Sequence, residues 1–261
     1  MEYAFADHWS FSVGVPYVFA KYRGPNPNPA NPPLDSCRCW HSGLQDVTGS
    51  VRYHATSGQF ALTPSVALNV PSRGYDYRGE SAVGRRLREV RFAVAVGRRL
   101  DEITPRLAVE AQYSYAVVEK IFDIPNNRSS LTSEAAFVFT PRLSVRGLAI
   151  WQRTHGGLRL GSVPPADLVF PGEANTADLF EQHDRLIRDN NWRTGGGVAY
   201  SLSSVDVFAI WLEYVAGTDT HAGRAFTVGL SWPFELKRGQ ASPRHVRSRG
   251  MHRQPPIRRR D

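Results

Sequence analysis

Cys37, Cys39 and His41 in "SCRCWH", His155 in "RTHGG", and His183 with Asp184 in "EQHDR" carry the side chains best suited to metal binding or nucleophile activation. Cys-x-Cys with one His falls short of the four ligands that close a structural zinc site. The spacing fits a loop disulfide or two free thiols at least as well, although a bond between cysteines this close would be strained. Either histidine could be assembled with Asp184 and a serine into a hydrolase constellation, but no nucleophile-elbow pattern surrounds a serine here. The triple glycine of "TGGGVAY" is not followed by the Lys-Ser/Thr of a phosphate loop; within a strand, such glycines permit a bend or a close approach. The sequence therefore assigns no catalytic residue, no metal and no cofactor.

A second set of polar residues has a more regular setting. Arg52, Glu89, Arg91, Glu110, Gln112, Glu134, Arg146 and Gln152 each fall at alternate positions of a run whose other positions are apolar. In "HWSFSVGVPYVFAKY", Trp9, Phe11, Val13, Val15, Tyr17 and Phe19 share one side, and Ser10, Ser12 and Gly14 lie on the other. Period-2 alternation of this kind predicts β-strands with one apolar face. The pattern recurs in nine further stretches, from "VTGSVRYHA" to "RAFTVGLSWPF", and a stub, "MEYAFA", precedes them. It weakens around Ile150 and from Val205 to Val215, where both sides are partly apolar.

The links between these runs alternate between short and long. Asp7-His8, Thr56 to Gly58, Asp101 to Pro105, Thr140-Pro141 and Ser203-Ser204 suit tight turns. Between them lie the longer links Arg23 to Gly43, Ser72 to Leu87, Asp123 to Arg128, His155 to Trp192 and Gly217 to Gly223. This order predicts an antiparallel up-and-down barrel with tight turns at one rim and larger loops at the other.

The solvent of the apolar face separates a membrane barrel from a soluble one. A soluble barrel would carry Lys and Glu on the opposite faces, whereas these are mainly Ser, Thr, Ala, Gly, Asn and Gln with isolated charges. Small polar residues suit a wet, hydrogen-bonded lumen. Aromatic residues near the strand ends, among them Trp9, Tyr113, Tyr115, Trp151, Tyr200, Trp232 and Phe234, suit interfacial girdles. Mean hydropathy of −0.36 and the absence of any run of about 18 apolar residues exclude a helical membrane protein but not a barrel. The formal charge of +8 resides in the last 26 residues, with nine Lys or Arg and one Asp, so no specific nucleic-acid site is implied. The expected organisation is a barrel over residues 1–235 and a basic disordered tail over 236–261.

"SAVGRRLREVRFAVAVGRRLD", "RLAVEAQYSYAVVEKIFDI", "NRSSLTSEAAFVFTPRLSVRGLAIWQRTHGGLRL" and "HAGRAFTVGLSW" resemble the bacterial outer-membrane proteins grouped as MetA-pathway of phenol degradation. The likeness runs from Glu2 to Phe234, and "PRLSVRG..WQRTHGG" is its distinctive part. It implies a channel-type barrel of about twelve strands, a link to aromatic-compound catabolism, and no catalytic residues. On that reading "MEYAFA" ends an eleventh strand with a twelfth before it, a leader peptide is missing, and "SWPF" is the closing signal for barrel-assembly machinery.

The expectation is therefore an outer-membrane barrel in a lipid bilayer that passively admits a small, aromatic or hydrophobic solute. A structural or adhesion barrel with a closed lumen, a lumen enzyme and a soluble binding protein are the alternatives. The eight polar residues above would line the lumen, with Arg91 facing Glu110 and Glu134 facing Arg146 across adjacent strands. The loop from His155 to Trp192 would cap the outer mouth, with Leu168, Val169, Phe170 and His183 as first contacts for the solute.

Overall fold

The computed structural model describes residues 2–22, 39–57, 59–72, 75–77, 82–159, 182–202, 205–220 and 222–231. Its strands are β1 (Glu2–Ala6), β2 (Trp9–Gly14), β3 (Tyr17–Ala20), β4 (His41–Leu44), β5 (Val47–Tyr53), β6 (Ala55–Ser57) and β7 (Phe60–Val70). There follow β8 (Glu89–Arg99), β9 (Leu107–Val118), β10 (Asn126–Thr140), β11 (Leu143–Gly156), a one-turn helix α1 (His183–Leu186), β12 (Asn190–Leu202), β13 (Val205–Thr218) and β14 (Arg224–Ser231). The basic tail and the aromatic "SWPF" end, except Ser231, lie outside the described residues.

One antiparallel sheet runs β1-β2-β5-β7-β8-β9-β10-β11-β12-β13-β14, and β6 also pairs with β7. From β7 onward every strand pairs with its neighbours in sequence, as in an up-and-down barrel. The sheet is not closed: β1 and β14 each keep an edge that no described strand pairs. The ten sequence runs and the stub correspond to these eleven passes, with β1 as the stub.

Two passes are subdivided, and prolines mark the breaks. β3 and β4 pair as a separate ribbon that prolongs the β2–β5 hairpin past Val15-Pro16, where the Gln45 amide donates to the Pro16 carbonyl at 2.8 Å. Between β5 and β6, at His54, the partner strand β7 carries Pro64. Proline has no N–H to give a ladder, so regular pairing stops beside it. The His54 amide turns instead to the His8 carbonyl at 2.7 Å.

Register assigns the faces. Glu89, Arg91, Ala93, Ala95 and Gly97 on β8 oppose Val118, Ala116, Ser114, Gln112 and Glu110 on β9. These continue into Arg128, Ser130, Thr132 and Glu134 on β10, then Thr154, Gln152, Ile150 and Leu148 on β11. The other face carries Val90, Phe92, Val94, Val96, Tyr113 and Trp151. Its large apolar side chains stay open to the surroundings: Phe92 is 51% exposed, Val94 45% and Phe226 64%. Buried apolar residues are few and small by comparison, with one cluster of Leu87, Ala116 and Val118 under Ile121. Strands β7 to β13 have 11 to 15 residues each, enough for the roughly 9–11 that cross a bilayer.

Aromatic side chains gather at both ends of the apolar face. Trp9 packs 4.9 Å from Tyr53 and 6.5 Å from Phe5 beside the short turn after β1. Phe137 and Phe139 meet at 4.8 Å before the β10–β11 turn. Trp151 and Trp192, cross-strand partners, lie 6.4 Å apart toward the long-loop end.

Candidate functional site

The polar face carries two hydrogen-bonded networks toward its long-loop end. The first centres on Glu89, whose side chain is 4% exposed. Arg91, two residues along β8, and Arg128, on β10, both pair with its carboxylate. Arg128 reaches across β9 because the residue beneath it, its register partner, is Ala116. Asn69 on β7 donates to Glu89 at 2.7 Å, and the Thr48 hydroxyl on β5 donates to Asn69 at 2.6 Å. Four strands are thereby tied through one buried carboxylate, both of whose oxygens accept hydrogen bonds, as a buried charge requires.

The second network joins two loop segments to the wall. Residues 82–88, before β8, and 182–189, before β12, lie against each other: Arg85 pairs with Asp189 at 3.3 Å. Arg185 donates to the Arg85 and Arg86 carbonyls at 3.0 and 2.8 Å and lies 4.5 Å above the Tyr77 ring. Leu186 is completely buried, and Ile187, Val83 and Leu87 nearly so. The Leu158 amide donates to the Leu186 carbonyl, and the Arg188 amide to the Leu158 carbonyl, both at 2.8 Å.

Asp189 is the hub of this arrangement. It accepts from Gln152 at 2.8 Å and Thr220 at 2.6 Å, and also from Asn191. Burial alone would push its carboxyl up. The Thr220 hydroxyl, the Arg85 guanidinium and the Asn191 amide together hold it below the usual carboxylate value. Asp46 behaves oppositely: burial raises it, only partly offset by the Tyr75 hydroxyl that donates to it at 2.6 Å. Burial and that same bond push the Tyr75 hydroxyl up as well.

Between the two networks lies a cavity of about 780 Å³, lined by Asp46, Glu89, Arg128, Asp189, Arg193 and the apolar Leu212 among others. A second, of about 850 Å³, lies toward the short-turn end and is lined by Glu110, Glu134 and Arg146. The polar face is itself partly apolar on its later strands: β12 gives it Gly195 and Gly197, opposite Leu148, Leu212 and Ile210.

The eight residues singled out in the sequence all fall on this face, and one of the two expected pairings forms. Glu134 and Arg146 approach to 3.3 Å. Arg91 and Glu110 do not meet: Arg91 is in register with Ala116, and Glu110 with Gly97 and Glu134. Arg91 takes Glu89 on its own strand instead, because side chains two residues apart share a face. Arg52 pairs with Glu2 at 3.4 Å, Gln112 lies between Ala95 and Thr132, and Gln152 serves Asp189.

Among the loop and chemical candidates, Leu168, Val169, Phe170 and Cys37 lie outside the described residues. His183 opens α1. Cys39 is disulfide-bonded and its sulfur lies 3.7 Å from His41 Nε2. His155 is on the apolar face, its Nε2 2.8 Å from Ser129 Oγ. Sequence reasoning passed over Arg85, Leu186, Ile187 and Asp189; the apolar pair inside the charged "DRLIRDN" is the one signal that could have found them.

The strand order and the division into an apolar and a polar face are those of an up-and-down β-barrel sheet. An outer-membrane channel from Pseudomonas putida F1 is similar in structure, with a TM-score of 0.60 at 13% sequence identity over 88% of this chain and 78% of that one. No protein-family model matches the chain, and no curated protein does.

Proposed function

We propose that the protein is an outer-membrane channel that passively admits small aromatic or hydrophobic compounds. The carrying observation is the division of faces: a continuous exposed apolar face, and an opposite face that is polar, charged and cavity-bearing. On this reading the apolar face meets lipid, Arg52, Glu89, Arg91, Glu110, Gln112, Glu134, Arg146 and Gln152 line the lumen, and barrel-assembly machinery inserts the chain. The likeness to an outer-membrane channel supports it, as does the sequence resemblance to the phenol-degradation group. The apolar stretch of wall at Leu148, Ile210 and Leu212 favours an apolar solute, while the charged networks hold the wall rigid.

Segments 82–88 and 182–189 would then constrict the extracellular mouth, since the longer loops of such barrels lie outside the cell. Their packing around Leu186 also favours a second reading, a structural barrel whose lumen stays closed. Refolding the chain into micelles should give a compact, heat-modifiable gel band that appears only with detergent. Planar-bilayer recording and aromatic-solute uptake by vesicles then separate the two readings. A folded barrel with neither conductance nor uptake would leave the structural one standing, and a soluble fold without detergent would end both.

A further inference from the structure

Toward its long-loop end the apolar face carries a polar cluster that includes a cation with no partner among the described residues. Arg153 on β11 is exposed on that face, opposite Ser129 of β10, and no hydrogen bond or ion pair engages its guanidinium among the described residues. Beside it, Ser129 Oγ shares hydrogen bonds with Tyr113 Oη at 3.0 Å and with His155 Nε2 at 2.8 Å. The His155 ring lies 5.9 Å from that of Tyr115. One row toward the middle of the strand, the face returns to Trp151 and Leu131.

A guanidinium turned toward hydrocarbon costs roughly 2–4 kcal/mol at the bilayer midplane and about 0–1 near the interface. Its position fits the second case: Ser129 lies in the first turn-proximal residues of β10, which begins at Asn126 on the long-loop side. Aromatic rings with polar tips flank it as they do at headgroup level. Two other cations of the apolar face are engaged, Arg98 by Glu102 and Arg224 by Glu213. Arg153 therefore presents a planar, permanently charged donor fork at the depth of lipid phosphates, with which guanidinium forms strong charge-assisted hydrogen bonds.

Resting on the reading of this chain as an outer-membrane barrel, we propose that Arg153, with Ser129, Tyr113 and His155, holds the phosphate of an outer-leaflet glycolipid. The aromatic side chains Tyr115 and Trp151 would lie along its acyl chains.

The test uses the full chain folded in zwitterionic micelles, with lipopolysaccharide, the same glycolipid dephosphorylated, and inorganic phosphate as probes. The wild type should retain the phosphorylated glycolipid about fivefold better than the dephosphorylated one, the factor expected for one basic residue at headgroup level. Arg153→Gln should erase the preference, Arg153→Lys should keep part of it, and Arg99→Gln at the opposite rim should leave it intact. Equal retention of the two glycolipids by the wild type overturns the proposal. So does equal loss in Arg99→Gln, which would mean diffuse charge, or displacement of the glycolipid by inorganic phosphate at matching concentration, which would mean a simple anion site. Should Arg153→Gln fail to fold, the wild-type comparison and Arg153→Lys decide. Absence of any detergent-dependent folded band would instead overturn the membrane reading itself, and the proposal with it.

Discussion

Arg128 of β10 crosses over Ala116 of β9 to pair with Glu89 of β8, so a small residue on the intervening strand makes the bond possible. The carboxylate is shared with Arg91 and capped by Asn69. Removing its charge strands two guanidinium groups facing each other. Glu89→Gln should cost roughly 3 kcal/mol, the low end for a broken buried pair because Arg91 is partly in water. Ala116→Leu should cost about 1–3 kcal/mol by filling the path of Arg128. Urea unfolding in micelles measures both, and a Glu89→Gln midpoint equal to the wild type would mean that the network is dispensable.

The loop closure has a defined pH response. Asp189 is held below its ordinary value of 3.8, so its contribution is complete above that value and is lost as pH falls through the lower, folded one. Asp46 has the opposite sign: its carboxyl is raised, and its protonation in the range above 3.8 favours the folded state. Amide exchange at Leu158 and Arg188 should therefore stay protected down to the ordinary carboxylate range and rise below it. Asp189→Asn should lower that protection roughly tenfold already at neutral pH, from about 1.5 kcal/mol for a charge-assisted bond, and flatten its response to acid.

Leu186 is the most deeply buried side chain of the two loop segments. Leu186→Ala should weaken their packing by about 2–3 kcal/mol and leave the sheet intact. If the segments constrict a pore, single-channel conductance rises in this variant. Conductance unchanged despite faster exchange at Leu158 would show that the constriction lies elsewhere.

Glycines on β11 and β12 differ sharply in what they tolerate. A Cβ at Gly195 would stand 1.8 Å from the Trp211 carbonyl oxygen, whereas one at Gly147 would meet nothing within 4 Å. Gly195→Ala should destabilise by about 2 kcal/mol or more, and Gly147→Ala should stay within about 0.5 kcal/mol. Thermal melts of the two variants in the same detergent make the comparison.

Strand order was legible because each pass buries nothing by itself and must turn one apolar side to a common solvent, which writes period 2 into "RFAVAVG" and "QFALTPSVAL". The polar face was legible for the same reason. Pairing on that face was not: deciding between Arg91–Glu110 and Arg91–Glu89 takes the register, and register follows from turn geometry rather than from pattern. The breaks at Pro16 and Pro64 are local features that alternation conceals. The loop segments around Arg85 and Asp189 carry no periodicity at all, so the contacts between them, with Leu186 at their centre, had little trace in the sequence. Ile150, Leu212 and Ile210 blurred the alternation because they face the cavity side with apolar side chains, a departure that turned out to mark the apolar part of the wall.

The central claim is that the face bearing Phe92 meets lipid and the face bearing Ala93 lines an aqueous space. Spin labels placed singly at these two adjacent β8 positions, with the protein folded into vesicles, test it most directly. The account predicts that the label at Phe92 is relaxed by oxygen dissolved in the bilayer and shielded from a water-soluble nickel complex, with the opposite order at Ala93. Strong relaxation of the Phe92 label by nickel, or the same response at both positions, would contradict it.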